Sequence, residues 1–297
     1  MKTIAVIGPT ASGKSDLAVA AAKTAGARIL SLDSLSIYKE IDIASAKPSP
    51  SERGGILHYG IDVLSPDEPF SVTTFIDLYR RAHSECEAAG VPLIIVGGTS
   101  FYLKTLMEGI SETPPTSDAT RRKVTGMMCD QRSAYALLES VDPATAAKID
   151  ANDRYRTEKM LTLYLQTGTP PSLWFEAHPP RRVLTDCALF EIDVSRDVLR
   201  ERIARRTEKM LQNGLIDEVA YLEQKYGRAP NPMKAIGIIE VLDYLDGKIN
   251  QTKMTDQIIT HTAQLAKRQQ TFNRNQFTSK TLLPYEQLHD AISHALS

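Results

Sequence analysis

The stretch Gly8–Ser15, G-P-T-A-S-G-K-S, constrains this chain more than any other. Thr3–Ile7 ahead of it is a short run rich in β-branched residues, which predicts a buried strand. Behind it, Asp16–Thr24 carries alanines, Leu17 and Lys23, and Gly26 stands where a helix would be capped. A G-x-x-x-x-G-K-[ST] pattern between a strand and a helix predicts a loop that cradles phosphates. Gly8 and Gly13 let the backbone curl so that successive N–H groups point at an anion. The helix start adds partial positive charge, Lys14 adds a full one, and the Ser15 hydroxyl is a ligand for Mg²⁺. Gly8, Pro9, Thr10, Ala11, Ser12, Gly13, Lys14 and Ser15 are thus the candidate pyrophosphate- or nucleotide-binding residues, with Ser15 the metal ligand. The loop does not identify the owner of the phosphates. ATP is the usual occupant, but any pyrophosphorylated molecule fits the same cradle.

The rest of the chain predicts an α/β fold, a P-loop NTPase-like parallel sheet flanked by helices. Arg28–Asp33, Val91–Val96 and Ala188–Val194 read as further strands, and Phe75–Ala89 and Asp197–Leu211 as helices. The Asp197–Leu211 helix, with Arg202 and Arg206 four apart, is adequately explained as an amphipathic surface helix. Pro114 and Pro115 break the pattern, and Thr116–Asp186 is mostly helical with polar turns. This organisation implies a core of residues 1–115 and 187–297, with 116–186 inserted as a helical lobe. At 297 residues, 42% hydrophobic and 24% charged, the composition is that of an ordinary soluble protein. No apolar run reaches membrane-spanning length, and no export signal is visible, so a cytoplasmic protein is expected. Cys86, Cys129 and Cys187 are isolated, which suits reduced thiols rather than disulfides or a zinc site. A net charge of −1 argues against non-specific nucleic-acid binding but leaves room for local basic patches.

Asp33 closes the second strand, and ligands of open α/β sheets bind beyond the carboxyl ends of strands. It therefore lies near the phosphate loop; the other reading of a D-S pair is an N-cap or turn aspartate. Val91–Val96 ends in Gly97-Gly98-Thr99. Two glycines there let the backbone approach a ligand closely, and Thr99 offers a hydroxyl at the same rim, or alternatively a helix N-cap. Many P-loop ATPases have an aspartate at the end of an apolar strand, which this strand lacks.

Together with the phosphate loop, Asp33-Ser34-Leu35-Ser36-Ile37-Tyr38 and Asp42…Ala46-Lys47-Pro48 resemble the tRNA dimethylallyltransferase family, which prenylates an adenosine beside the anticodon. His58–Phe75 and Gly97–Tyr102 are similar to further family segments. Asn152–Arg156 resembles an N-D-x-x-R motif in the portion that contacts tRNA. The run Arg202–Val219 also matches, and Thr262–Arg274 keeps Lys267, Arg268, Gln269 and Arg274, with Ala263 and Phe272 replacing arginine and tryptophan. Ala44 and Ser45 replace glycine and threonine. Ile238 and Ile239 stand where the family has an aromatic and a basic residue.

The resemblance implies transfer of a dimethylallyl group from dimethylallyl pyrophosphate to the exocyclic amine of an adenosine next to the anticodon of tRNA, with Mg²⁺, by a monomer. It implies Asp33 as the base, Thr99 as a hydrogen-bond donor to the leaving oxygen, and Lys14 as an electrostatic stabiliser. It places tRNA contacts on Asp33, Ser34, Leu35, Ser36, Thr99, Arg121, Tyr155, Arg156, Lys159, Lys234, Lys267, Arg268, Gln269 and Arg274. Arg156 and Lys159 share a helix face that suits a phosphate track, or simply solvent. No acidic residue lies between Asp256 and Glu286, so the last long helix is locally basic. Prenyl transfer to free AMP or ADP, a small-molecule kinase and a non-catalytic RNA binder remain as other readings.

Overall fold

The computed structural model describes residues 1–296. Its six-stranded sheet is parallel throughout: β1 (Thr3–Ile7), β2 (Arg28–Leu32), β3 (His58–Tyr59), β4 (Leu93–Gly97), β5 (Ala188–Ile192) and β6 (Thr281–Leu283), in the order β3-β2-β4-β1-β5-β6. Every residue of β1 and β4 is buried, because strands inside a parallel sheet are covered on both faces. This is why T-I-A-V-I and L-I-I-V-G are nearly continuous apolar runs. The α/β reading of the sequence is correct. The edge strands β3 and β6 were not anticipated, since two and three residues are too short to display a period.

Register, more than burial, places the function. Ile7 pairs with Gly97, and Gly97 pairs with Leu32, so three neighbouring strands end at one level. The residues that follow, Gly8, Gly98 and Asp33, leave the sheet side by side. Three loops far apart in sequence therefore converge on one short edge.

Helix α1 (Lys14–Ala25) buries Leu17, Ala18, Ala21 and Ala22, which pack with Ile4, Val6, Ile29 and Ile94. It ends at Gly26, whose φ of 63° suits glycine and whose N–H donates to the Ala22 carbonyl. α2 (Val72–Ala89) is capped by Ser71, which accepts from the Thr74 N–H, and α3 (Ser100–Glu108) follows β4.

The chain divides into two compact units, Leu106–Val183 and the remainder. The smaller unit holds α4 (Asp118–Met127), α5 (Gln131–Val141), the short α6 (Pro143–Ala146), α7 (Arg154–Thr167) and α8 (Pro171–Ala177). Ser117, Asp130, Asp142 and Asp153 cap the starts of α4 to α7 by accepting backbone N–H groups, so the polar turns of the sequence are helix starts. Val124, Met128, Ala134, Leu138, Ala146 and Leu161 form its own core. Its two ends meet where the Val183 N–H donates to the Leu106 carbonyl at 3.0 Å.

In the larger unit, α9 (Arg196–Gln212), α10 (Leu215–Tyr226), α11 (Ile238–Leu245), α12 (Gln251–Gln276) and α13 (Tyr285–Leu296) complete the helices. α13 adds Leu288, Ile292 and Leu296 to the cluster around α1. Residues Leu215, Val219, Leu222, Val241, Met254 and Ile258 of α10 to α12 form a second cluster with Ile37, Tyr38 and Ile41. Ile238 is completely buried in it, while Ile239 is exposed. Among the described residues, no helix is long and apolar enough to cross a membrane.

Candidate active site at the carboxyl edge of the sheet

The phosphate loop leaves β1 and enters α1 through Gly13, whose φ of 93° is in the left-handed region where a side chain is disfavoured. No side chain caps α1, so its first N–H groups remain available to an anion. Gly8, Pro9 and Ser12 are buried beneath the loop, and Ser15 is exposed at its end. Lys14 Nζ donates to the Pro9 carbonyl at 3.2 Å. Burial pulls the Lys14 ammonium down to about 8. Repulsion from the Arg206 guanidinium pulls the same way, against the attraction of Asp33.

Two arginines of α9 brace the same loop. Arg202 Nη1 donates to the Ser12 carbonyl at 3.0 Å, and Arg206 Nη1 donates to Thr10 Oγ1 at 3.3 Å. Burial lowers the Arg206 pKa, again opposed by Asp33. The amphipathic reading of this helix was therefore incomplete. Its apolar side faces the fold, and its Arg202–Arg206 edge faces the phosphate loop because β5, which feeds α9, lies beside β1. Arginines four apart share a helix face, and the run Arg202–Val219 matches a family segment, but neither signal says which way the helix faces.

Asp33 performs the turn role and faces the cavity. Its Oδ1 accepts the N–H groups of Leu35 at 2.8 Å and Ser36 at 3.0 Å, while Oδ2 has no hydrogen-bond partner among the described residues. Thr99 is held by its backbone: its N–H donates to the Leu32 carbonyl at 3.1 Å. The preceding glycines do not serve close approach to a ligand alone. A Cβ on Gly97 would lie 2.1 Å from the Leu32 carbonyl oxygen, and one on Gly98 would lie 2.4 Å from Gln269 Nε2. Both admit protein neighbours.

These groups line one cavity of about 390 Å³. Thr10, Lys14, Ser15, Asp33, Ser34, Leu35, Ser36, Thr99, Lys234 and Gln269 all contribute to it, as do Arg206 and the apolar Ile203, Met210, Ile236, Ile258 and Leu265. It therefore offers positive charge, a free carboxylate oxygen, a hydroxyl and a greasy wall within one space. A larger cavity of about 1160 Å³ adjoins it through Lys14, Ser15 and Arg206 and is bordered by Arg53, Arg202 and Tyr285.

Comparison with known proteins agrees with this geometry. The family model described as IPP transferase matches residues 36–276, and one described as isopentenyl transferase matches residues 1–58. The chain belongs to the IPP transferase family. It is 53% identical to the tRNA dimethylallyltransferase of Nautilia profundicola over 97% of this chain and 98% of that one. With the tRNA dimethylallyltransferase of Sulfurimonas denitrificans it shares 52% identity over the whole length of both. A solved eukaryotic dimethylallyltransferase acting on tRNA superposes with a TM-score of 0.85 at 27% identity, over 96% of this chain and 74% of the other. As a member of this family the chain is an enzyme, a prenyltransferase, and the kinase and adenylate readings are not favoured.

Other segments shared with the family serve architecture. Lys47, only 4% exposed, pairs with Asp42 at 2.6 Å and Asp62 at 2.5 Å and donates to the Tyr38 carbonyl at 2.9 Å. Glu218 accepts the N–H groups of Asp42, Ile43 and Ala44. These contacts fix the segment that borders both cavities. At the turn before α11, the buried Glu240 accepts the Gly237 N–H at 2.6 Å and contacts His261 Nδ1 at 2.6 Å.

The residues expected on the RNA side divide into two groups. Lys267, Arg268 and Arg274 are exposed on α12, and none of them lines the cavity. Gln269 on the same helix turns inward: its Oε1 accepts the Thr10 N–H, and its Nε2 donates to the Gly98 carbonyl. Arg121, Tyr155, Arg156 and Lys159 are exposed on the smaller unit. There Lys159 Nζ lies 5.5 Å from the centre of the Tyr155 ring, and Arg156 pairs with Asp153 at 3.1 Å.

Proposed function

We propose that the cavity at the sheet edge transfers a dimethylallyl group from dimethylallyl pyrophosphate to the exocyclic amine of an adenosine next to the anticodon of tRNA. The observation that carries this reading is the meeting of Lys14, Asp33 and Thr99 in one cavity with an apolar wall. The loop amides, Lys14 and Arg206 suit the pyrophosphate, and Ile203, Ile236 and Leu265 suit a five-carbon chain.

In the reaction, the adenine nitrogen forms a bond to the allylic carbon as that carbon's bond to oxygen breaks. Pyrophosphate leaves with the electron pair. Lys14 and the loop N–H groups stabilise the charge that grows on it, in a site where preorganised donors act most strongly. The Thr99 hydroxyl donates to the oxygen that is released. Asp33 Oδ2 accepts the amine proton while Oδ1 keeps the side chain oriented through Leu35 and Ser36. The target base must leave its stack to enter such a cavity.

A group of three or more His, Cys, Asp or Glu side chains arranged for a metal is absent among the described residues. A divalent cation suits this site in the manner usual for Mg²⁺, through the Ser15 hydroxyl and substrate phosphate oxygens. When bound, Mg²⁺ supplies further neutralisation of the leaving group. The exposed Lys267, Arg268 and Arg274, together with Arg121, Tyr155, Arg156 and Lys159, suit a tRNA backbone and unstacked bases. Such a substrate suits an enzyme of the cytoplasm.

The test is transfer of label from dimethylallyl pyrophosphate with Mg²⁺ into unmodified tRNA, with AMP and a no-acceptor control in parallel. Label in tRNA alone is expected. Label in AMP alone, or in neither acceptor with folded protein, refutes the proposal.

A further inference from the structure

We propose that Gln269 is a positioning residue, whose side-chain amide sets the spacing between the phosphate loop and the turn that carries Thr99. The β1–β4 ladder stops at the Ile7–Gly97 pair. Beyond that level the two chains part, one becoming the loop that presents Lys14 and the other the turn that presents Thr99. Gln269 reaches in from α12 and bridges them. Its Oε1 accepts the Thr10 N–H at 2.8 Å, and its Nε2 donates to the Gly98 carbonyl at 3.0 Å.

The chemistry of the bridge selects the residue. One end must accept and the other must donate, both from a single terminal group on a long side chain. Among the long unbranched side chains only the glutamine amide does both: a carboxylate has no donor when ionised, and lysine and arginine have no acceptor. Asparagine has the right group on a shorter stem. Gly98 is the matching socket, because a Cβ there would lie 2.4 Å from Gln269 Nε2. The position is half-buried between exposed Arg268 and Lys267 on one side and the cavity on the other, so its amide faces the chemistry rather than solvent.

The consequence for turnover rests on the prenyl-transfer reading. Lys14 and Thr99 must hold the same leaving pyrophosphate at once, Lys14 on its growing charge and Thr99 on the oxygen that is released, and an error of about 1 Å in such placement costs up to about 100-fold in rate. Loosening the bridge therefore lowers kcat more than it weakens either substrate.

The experiment compares wild type, Gln269→Met and Gln269→Glu as full chains. The methionine variant keeps the length and loses both hydrogen bonds. The glutamate variant keeps the acceptor for Thr10 and loses the donor to Gly98. Amide exchange at Thr10, followed by NMR, reads the bridge without catalysis. Protection is expected in wild type and in the glutamate variant, and its loss in the methionine variant. In label transfer, kcat is expected to fall about 10- to 100-fold in Gln269→Met, with the KM for tRNA changed less than twofold. Unchanged Thr10 exchange in Gln269→Met overturns the bridge. A raised KM for tRNA at unchanged kcat overturns the positioning role and makes Gln269 an RNA contact. If wild type transfers no label, the prenyl-transfer reading fails, and Thr10 exchange alone still decides whether the bridge exists.

Discussion

The Lys14 ammonium titrates inside the range in which the enzyme can be assayed, and this makes pyrophosphate binding pH-dependent in a calculable way. Burial and the neighbouring Arg206 lower it to about 8. With that midpoint, roughly nine-tenths of the side chain is charged at pH 7 and roughly one-tenth at pH 9. An anionic ligand binds the charged form and holds the proton in place. The affinity is therefore full below the midpoint and is lost as pH rises through it, by about tenfold between pH 7 and pH 9. The ligand itself contributes little, because a terminal phosphate has its last ionisation near about 6. The measurement is equilibrium binding of a non-transferable thio analogue of dimethylallyl pyrophosphate at fixed Mg²⁺, from pH 7 to pH 9, for wild type and Lys14→Arg. Arginine stays charged throughout, so its curve is expected to be flat. Arg206→Gln removes one of the two lowering causes and is expected to move the wild-type midpoint upward. A flat wild-type curve, or the same slope in Lys14→Arg, refutes the argument.

Further outcomes follow from individual contacts. Asp33→Asn retains an acceptor for Leu35 and Ser36 but no base, so its melting temperature should stay close to wild type while kcat falls about 10²–10⁴-fold; equal turnover removes Asp33 from proton transfer. Gly97→Ala places a methyl group 2.1 Å from the Leu32 carbonyl oxygen, and the strain should destabilise the fold by about 1–3 kcal/mol in urea unfolding and lower turnover as well. Leu138→Ala empties part of the smaller unit's core, where Leu138 is fully buried, and should cost that unit about 2–5 kcal/mol; limited proteolysis should then cut first within Leu106–Val183.

How far the sequence could be read depended on whether a signal was local. β1, β4 and the loop after β1 were legible because burial on both faces writes a continuous apolar run, and a glycine-rich turn to a helix has a fixed spacing. The short strands β3 and β6 carry no period at all. Arg202 and Arg206 could not be told from surface charges, since only the placement of β5 beside β1 turns their helix toward the loop. Asp33 was read as either a turn residue or a base, yet one of its oxygens holds the turn while the other is left without a hydrogen-bond partner among the described residues. Gln269 was grouped with its basic neighbours, although one residue along a helix is a rotation of about 100° and moves a side chain from solvent to cavity. Where the Lys234–Glu240 turn departs from the family pattern, Ile238 is completely buried in a core cluster and Ile239 is exposed, a difference that the sequence alone does not show.

The flush ending of β2, β4 and β1 has a consequence for how this enzyme can vary. A strand advances by about 3.3 Å per residue, more than a whole hydrogen-bond length. Lengthening or shortening any one of the three by a single residue would lift its cargo out of reach of the other two and turn its side chains to the opposite face. Apart from Gly97, the apolar side chains within these strands are open to exchange among apolar types, while the strands' lengths are not. Insertions and deletions should be found only after the edge has been passed, in the crossovers that return each strand to the far end of the sheet.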